Sequence, residues 1–268
     1  MKTVVFFITH KTLGFEHACA TLGSIAKQSL VPEKKFDKFY IYNTHSEELS
    51  NQTIEELYYK LGLDRFFNEL TVFDYHPSTH KSLGADVNNI CSYMKNHYQA
   101  QDRFLLLKSD CVLSKNYFDD LIRLPEFRPV YFVAPWICAK ERISDQEIFQ
   151  YSQRDNFVRS DEITFFVEDQ TNSENNDFYN RPGVQVTDEE IKFTSCCVIT
   201  DFSCHYLSVQ LIPQISINFQ SWGGVNFGQL RQYYIGTEKS FVIHKFHNIM
   251  SENRISDREG PVAQWLSS

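Results

Sequence analysis

The residues best placed to do chemistry lie in Arg103-Phe104-Leu105-Leu106-Leu107-Lys108-Ser109-Asp110-Cys111-Val112. An apolar run stops at a charged tripeptide, the pattern of a buried strand whose carboxyl end reaches a surface. In open α/β sheets, ligands bind at that end. A carboxylate there can hold a divalent cation, and the cation can hold a diphosphate. Asp110 can also do no more than cap the next turn. Lys108 offers a point charge to a phosphate oxygen, or is simply a solvated strand end.

The elements that must position these residues follow from hydrophobic spacing. Val4 to Thr9 reads as a first, central strand and Phe15 to Leu30 as a helix with Ala18, Leu22, Ile25 and Ala26 on one face, stopped by Pro32. Phe36 to Asn43 is a second strand. Ser50 caps a helix that carries Ile54, Leu57, Tyr58 and Leu61 and ends at Gly62. Leu70 to Tyr75 is a third strand, Leu83 to Tyr98 a helix, and Phe104 to Leu107 a fourth strand. Strand and helix in strict alternation predict an α/β fold with a doubly wound, mostly parallel sheet. Later, Tyr131 to Ile137 reads as one strand and Phe193 to Thr200 as another. Asp201 then caps a helix over Phe202 to Leu211, or stands as a candidate base. Trp222-Gly223-Gly224 opens a helix through Tyr234, and Ser240 to Phe246 is a last strand. The polar, acidic stretch from about 144 to 190 reads as a flap on the domain, because it has little core of its own.

The chain has 268 residues with 42% hydrophobic content, enough for one domain spanning 1–268. A net charge of -8 and a pI near 5.6 argue against a nucleic-acid partner. The 7 cysteines are odd in number and form no Cys-x-x-Cys pair, which predicts reduced thiols in a cytoplasmic compartment. The apolar run at Val4 to Ile8 is too short for a signal peptide, and no segment is long enough to span a bilayer. The sequon Asn51-Gln52-Thr53 is then expected to be unused.

Three separated segments together resemble the GT-A glycosyltransferases, in the inverting, GT2-like branch. Lys108-Ser109-Asp110 falls where that family has Asp-x-Asp. Leu83-Gly84-Ala85-Asp86-Val87-Asn88 resembles its helix upstream of that motif. Ser221-Trp222-Gly223-Gly224-Val225-Asn226-Phe227 resembles its Trp-Gly-Gly-Glu-Asp segment. The resemblance implies a GT-A-like fold with a nucleotide-sugar-binding half at 1–114 and a smaller acceptor-binding half at 115–268 that carries the flap. It implies transfer of a sugar from a nucleotide-diphosphate sugar to a hydroxyl of a glycan, polysaccharide or glycoprotein. It further implies Mn²⁺ or Mg²⁺ on Asp110, with His244 as a C-terminal ligand. Thr9, His10, Lys11, Lys81, Gly84, Asn88 and Arg254 are expected around the donor, and Trp222, Gly223, Gly224 and Asn226 around the acceptor. His244 and His247 point to opposite faces if the strand continues through both.

Two departures from the family pattern bear on mechanism. Lys108 replaces the first Asp of the metal motif, so one carboxylate is missing and metal-independence becomes possible. Val225-Asn226 replaces Glu-Asp, and an amide cannot act as the base. These losses leave open a second reading, a degenerate transferase fold kept as a sugar- or partner-binding module. A nucleotidyltransferase fits less well, since its Gly-rich, basic loop is here Lys11-Thr12-Leu13-Gly14, with a single glycine.

Overall fold

Apolar residues fill both faces of the first strands, so those strands must be covered on both sides. In the computed structural model they are. It describes residues 1–9, 15–29, 36–44, 49–73, 83–134, 136–139, 148, 150, 152–153, 193–196, 204–217, 225–235 and 240–245. Strands β1 (Thr3–Ile8), β2 (Phe36–Tyr42), β3 (Phe67–Val72) and β4 (Arg103–Lys108) run parallel, in the spatial order β3-β2-β1-β4. Val5, Phe7, Phe39, Ile41, Leu105 and Leu107 point to one face. There they meet α1 (Phe15–Ala26), α2 (Asn51–Lys60) and α4 (Tyr117–Ile122). Val4, Phe6, Tyr40, Phe104 and Leu106 point to the other face, against Val87, Ile90 and Met94 of α3 (Leu83–His97).

The helix ends obey local chemistry. Ser50 Oγ accepts the Thr53 backbone N–H at 3.0 Å, capping α2 as its sequence predicts. Past the other end of α2, Gly62 sits at φ 67°, in the left-handed region. Helix α1 stops at Ala26, four residues short of its predicted end, and β3 starts three residues earlier than its pattern suggested.

Beyond β4 the topology departs from simple alternation. A short β5 (Cys111–Leu113) follows at once and leaves the main sheet. The run predicted as one strand over Tyr131 to Ile137 is two: β6 (Tyr131–Phe132) lies in the main sheet, and β7 (Trp136–Ala139) joins a second one. That second sheet also holds β5, β8 (Phe193–Cys196) and β13 (Val242–Lys245). The helix expected over Phe202 to Leu211 is instead β9 (Cys204–Ser208) followed by a 3₁₀ turn over Val209–Gln214. Strand β9 runs antiparallel between β4 and β6. All five of its side chains are buried, His205 and Ser208 included, so no apolar-in, polar-out alternation marks it and spacing alone could not tell strand from helix. The helix predicted after Gly224 is β11 (Val225–Asn226), paired with β10 (Ser216–Ile217). A 3₁₀ turn at Gly228–Tyr233 then leads into β12 (Tyr234–Ile235) on the edge of the main sheet. No helix among the described residues is long and apolar enough to cross a membrane. Most of the predicted acidic flap lies outside the described residues.

Gly62 has nothing within 4 Å of where a Cβ would stand. Gly62→Ala is therefore expected to cost only the left-handed backbone penalty, about 1 kcal/mol. Gly62→Asn should cost less. Urea denaturation of the three proteins checks the order.

Candidate active site

A parallel sheet gathers the carboxyl ends of its strands at one edge. Here that edge brings together Ile8-Thr9, Tyr42-Asn43 and Lys108-Ser109-Asp110. Lys108 stands opposite Ile8 in register, and the Ser109 N–H donates to the Ile8 carbonyl at 2.9 Å. The turn is also held from α1. Thr21 Oγ1 donates to the Ser109 carbonyl at 2.8 Å, and Ser24 Oγ accepts the Leu113 N–H at 3.0 Å. Gln28 Nε2 donates to the Ser114 carbonyl at 2.9 Å while its Oε1 accepts the Phe118 N–H at 2.8 Å. Thr21, Ser24 and Gln28 form a buried polar stripe beside the apolar face of the helix. Sequence reasoning used only that apolar face; the missed signal was three hydrogen-bonding residues recurring at helical spacing next to it.

Asp110 does not stand open at the strand end. Its side chain is fully enclosed, and Oδ2 lies 2.8 Å from Lys108 Nζ. The Cys111 thiol donates to Oδ1 at 3.4 Å. Burial, and then the Asp110 charge, push the Cys111 thiol well above its ordinary pKa, so it keeps its proton. Cys204 on β9 donates to the Tyr117 hydroxyl at 3.2 Å, and burial pushes its thiol up to about 12. Cys91 on α3 is likewise raised to about 12 by burial.

Thr9 serves the frame. Its hydroxyl donates to Asn43 Oδ1 at 2.8 Å and accepts the Thr44 N–H at 3.2 Å, tying β1 to β2. Asn43 in turn donates to the Leu49 carbonyl at 2.8 Å. In the first turns of α3, Gly84 is buried and Asn88 half-buried. Asp86 accepts from the Tyr42 hydroxyl at 3.2 Å, which sets the start of this helix against the strand ends. His244 lies on β13 at the register position opposite Cys111, one residue from Asp110 along the chain. Asn226 pairs with Ser216 in the β10–β11 ribbon. The fold thus brings Thr9, Lys108 and Asp110 to one edge and the His244 backbone beside them. His10, Lys11, Lys81, Asp201, Trp222, Gly223, Gly224 and Arg254 lie outside the described residues.

A divalent ion does not fit Asp110 as the described residues are arranged. Both carboxylate oxygens already have partners, one of them a cation. No group of three or more His, Cys, Asp or Glu side chains among the described residues converges on a common point.

No family model matches the sequence, and no curated protein matches it. Solved structures do match the fold. TarS of S. aureus, residues 1–349 in complex with UDP-GlcNAc, superposes with a TM-score of 0.53 at 13% identity, covering 97% of this chain and 63% of that one. A second S. aureus TarS structure gives 0.52 at 14% identity, covering 92% of this chain and 37% of that one. GalNAc-T7 with UDP, GalNAc and Mn²⁺ gives 0.53 at 13% identity, covering 92% of this chain and 44% of that one. The fold is that of the GT-A glycosyltransferases. The chain spans less than two thirds of the length of each of these structures. The α/β fold with its mostly parallel central sheet is thus the one the resemblance implied.

Breaking a buried ion pair by removing one partner leaves the other charge uncompensated, at a cost of about 3–5 kcal/mol. Asp110→Leu and Lys108→Met should each lose about that much stability, while Lys108→Met/Asp110→Leu should lose far less than the two single losses together. Denaturation midpoints of the four proteins test this. A second expectation concerns alkali. Cys91 and Cys204 keep their protons to about pH 12 in the folded chain, whereas unfolded thiols release theirs near about 8.5. Above that pH the unfolded state binds fewer protons, so stability falls as pH rises. The contribution is whole below the unfolded value and is lost on the way up through the folded one. Thermal melts from pH 7 to 11 should show the decline, with native Cys91, Cys111 and Cys204 resisting alkylation at about pH 8 until urea is added.

Proposed function

We propose that this chain is a glycosyltransferase that moves a hexosyl or pentosyl unit from a nucleotide-diphosphate sugar to a hydroxyl of a glycan-type acceptor, with inversion. One observation carries the reading: a GT-A sheet whose fourth parallel strand ends in a rigid charged turn, Lys108-Ser109-Asp110, beside the end of β1. The similar structures hold UDP-GlcNAc in one case and UDP with GalNAc in another, which supports a nucleotide-sugar donor.

Sugar transfer develops negative charge on the departing diphosphate and positive charge on the sugar ring. Fixed charges and dipoles at the place where the diphosphate charge develops lower the barrier without having to reorganise during reaction. The pinned β4 turn is proposed to supply them. The acceptor hydroxyl needs a base within hydrogen-bond reach. Asn226 has no basic group, and Asp201 is the residue proposed for the role. The aromatic face of Trp222 is proposed to carry the acceptor sugar.

The test is turnover on a panel of UDP-, GDP-, CMP- and dTDP-sugars with oligosaccharide acceptors, read as nucleotide release and as product mass. Asp110→Asn, checked for folding by circular dichroism, should slow transfer by about 10²–10³-fold. Saturable nucleotide binding with no transfer and no hydrolysis across the panel would favour the non-catalytic binding module. That second reading rests on the enclosed position of Asp110.

A further inference from the structure

We propose that Lys108 is the resident cation of this site, its ammonium holding on Asp110 the place of a divalent metal, so that the chain binds a nucleotide diphosphate without one. This rests on the donor-binding reading above and deepens it.

The contacts carry the argument. Lys108 Nζ lies 2.8 Å from Asp110 Oδ2, a charge-assisted distance. The remaining oxygen, Oδ1, takes the Cys111 thiol. The pair is also enclosed: the Asp110 side chain has 0% of its surface exposed and that of Lys108 6%. A metal ion taking Oδ2 would displace the ammonium and leave a buried lysine without its counter-charge, and one taking Oδ1 would displace the Cys111 thiol and sit beside that ammonium. The backbone beneath cannot easily yield, because Ser109 is bonded on one side to Ile8 and on the other to Thr21. An ammonium held this way is a preorganised point charge for a phosphate oxygen.

His244 is the residue that could favour the opposite outcome, since β13 brings its backbone opposite Cys111. It therefore belongs in the experiment. Binding is measured by titration calorimetry with three probes: MnCl₂ alone, UDP in EDTA, and UDP with MnCl₂. GDP, CDP and dTDP serve as alternatives if uracil is the wrong base.

The wild-type chain should bind the nucleotide in EDTA within about twofold of its affinity in Mn²⁺ and show no saturable Mn²⁺ uptake below about 1 mM. Lys108→Met should weaken nucleotide binding by about tenfold. Lys108→Asp, which supplies a second carboxylate, should make nucleotide binding depend on Mn²⁺. The wild-type arms need no variant, so a variant that fails to fold leaves the test intact. The inference is overturned if wild-type protein takes up one Mn²⁺ at micromolar concentration, loses it in Asp110→Asn or His244→Ala, and releases the nucleotide in EDTA. That outcome leaves the donor-binding reading standing. If no nucleotide binds in either medium, the donor-binding reading falls, and this inference with it.

Discussion

Two opposite charges enclosed at the end of a strand must satisfy each other or destabilise everything around them. The Lys108–Asp110 pair sets that condition here, and much of the surrounding structure meets it. The N–H of Ser109, between the two charges, is bonded to β1, and its carbonyl is bonded to α1. Ser24 of α1 goes on to hold Leu113, and Gln28, two residues past the end of that helix, holds Ser114 and Phe118. Ser114 passes the constraint further, exchanging two hydrogen bonds with Phe241 at the entrance to β13. One polar chain thus runs from the central strand through α1 to the last strand of the second sheet. Buried networks rigidify where their groups are satisfied; here the Ser109 backbone groups are paired, while its buried hydroxyl has no partner among the described residues.

That rigidity suits the chemistry proposed for the site. Charge that is fixed before the ligand arrives does not have to be organised during the reaction. The apolar faces of the sheet set the position of the turn, since every residue of β4 is buried and the strand cannot slide without exposing one face's side chains on the other. On the α3 side, stacked Phe6 and Tyr40 and the Tyr40 hydroxyl's bonds to Tyr93 and Tyr98 fasten the helix to the sheet. The Tyr42–Asp86 bond then fixes where the helix begins relative to the strand ends.

The parallel half of the fold was legible because each strand and helix there has its own period and its own stop signal. Ser50 and Gly62 bracket α2 as capping chemistry requires. The later half was less legible because its strands are short and buried on both sides. Residues 204–208 carry no alternation to read, and the run from Tyr131 to Ile137 hides a change of sheet between Phe132 and Trp136. At the site, Asp110 was found from its place after an apolar strand. Its enclosure was not, because a sequence does not state whether a lysine two positions away turns toward the carboxylate or toward water. Thr9 was singled out for a ligand, and its hydroxyl proves to join two strands, a use that depends on Asn43, which is distant in sequence.

The placement of β9 governs how this protein comes into being on the ribosome. Strand β4 and its turn emerge roughly a hundred residues before the segment that lies alongside them. Through that interval one flank of β4 has no neighbour, and its unpaired amides and apolar side chains must be sheltered by something other than the native partner. A chain cut between β4 and β9 would keep its charged turn in sequence yet present a bare, sticky border. The parallel half of the sheet is therefore flanked by residues that lie roughly a hundred positions later in the chain.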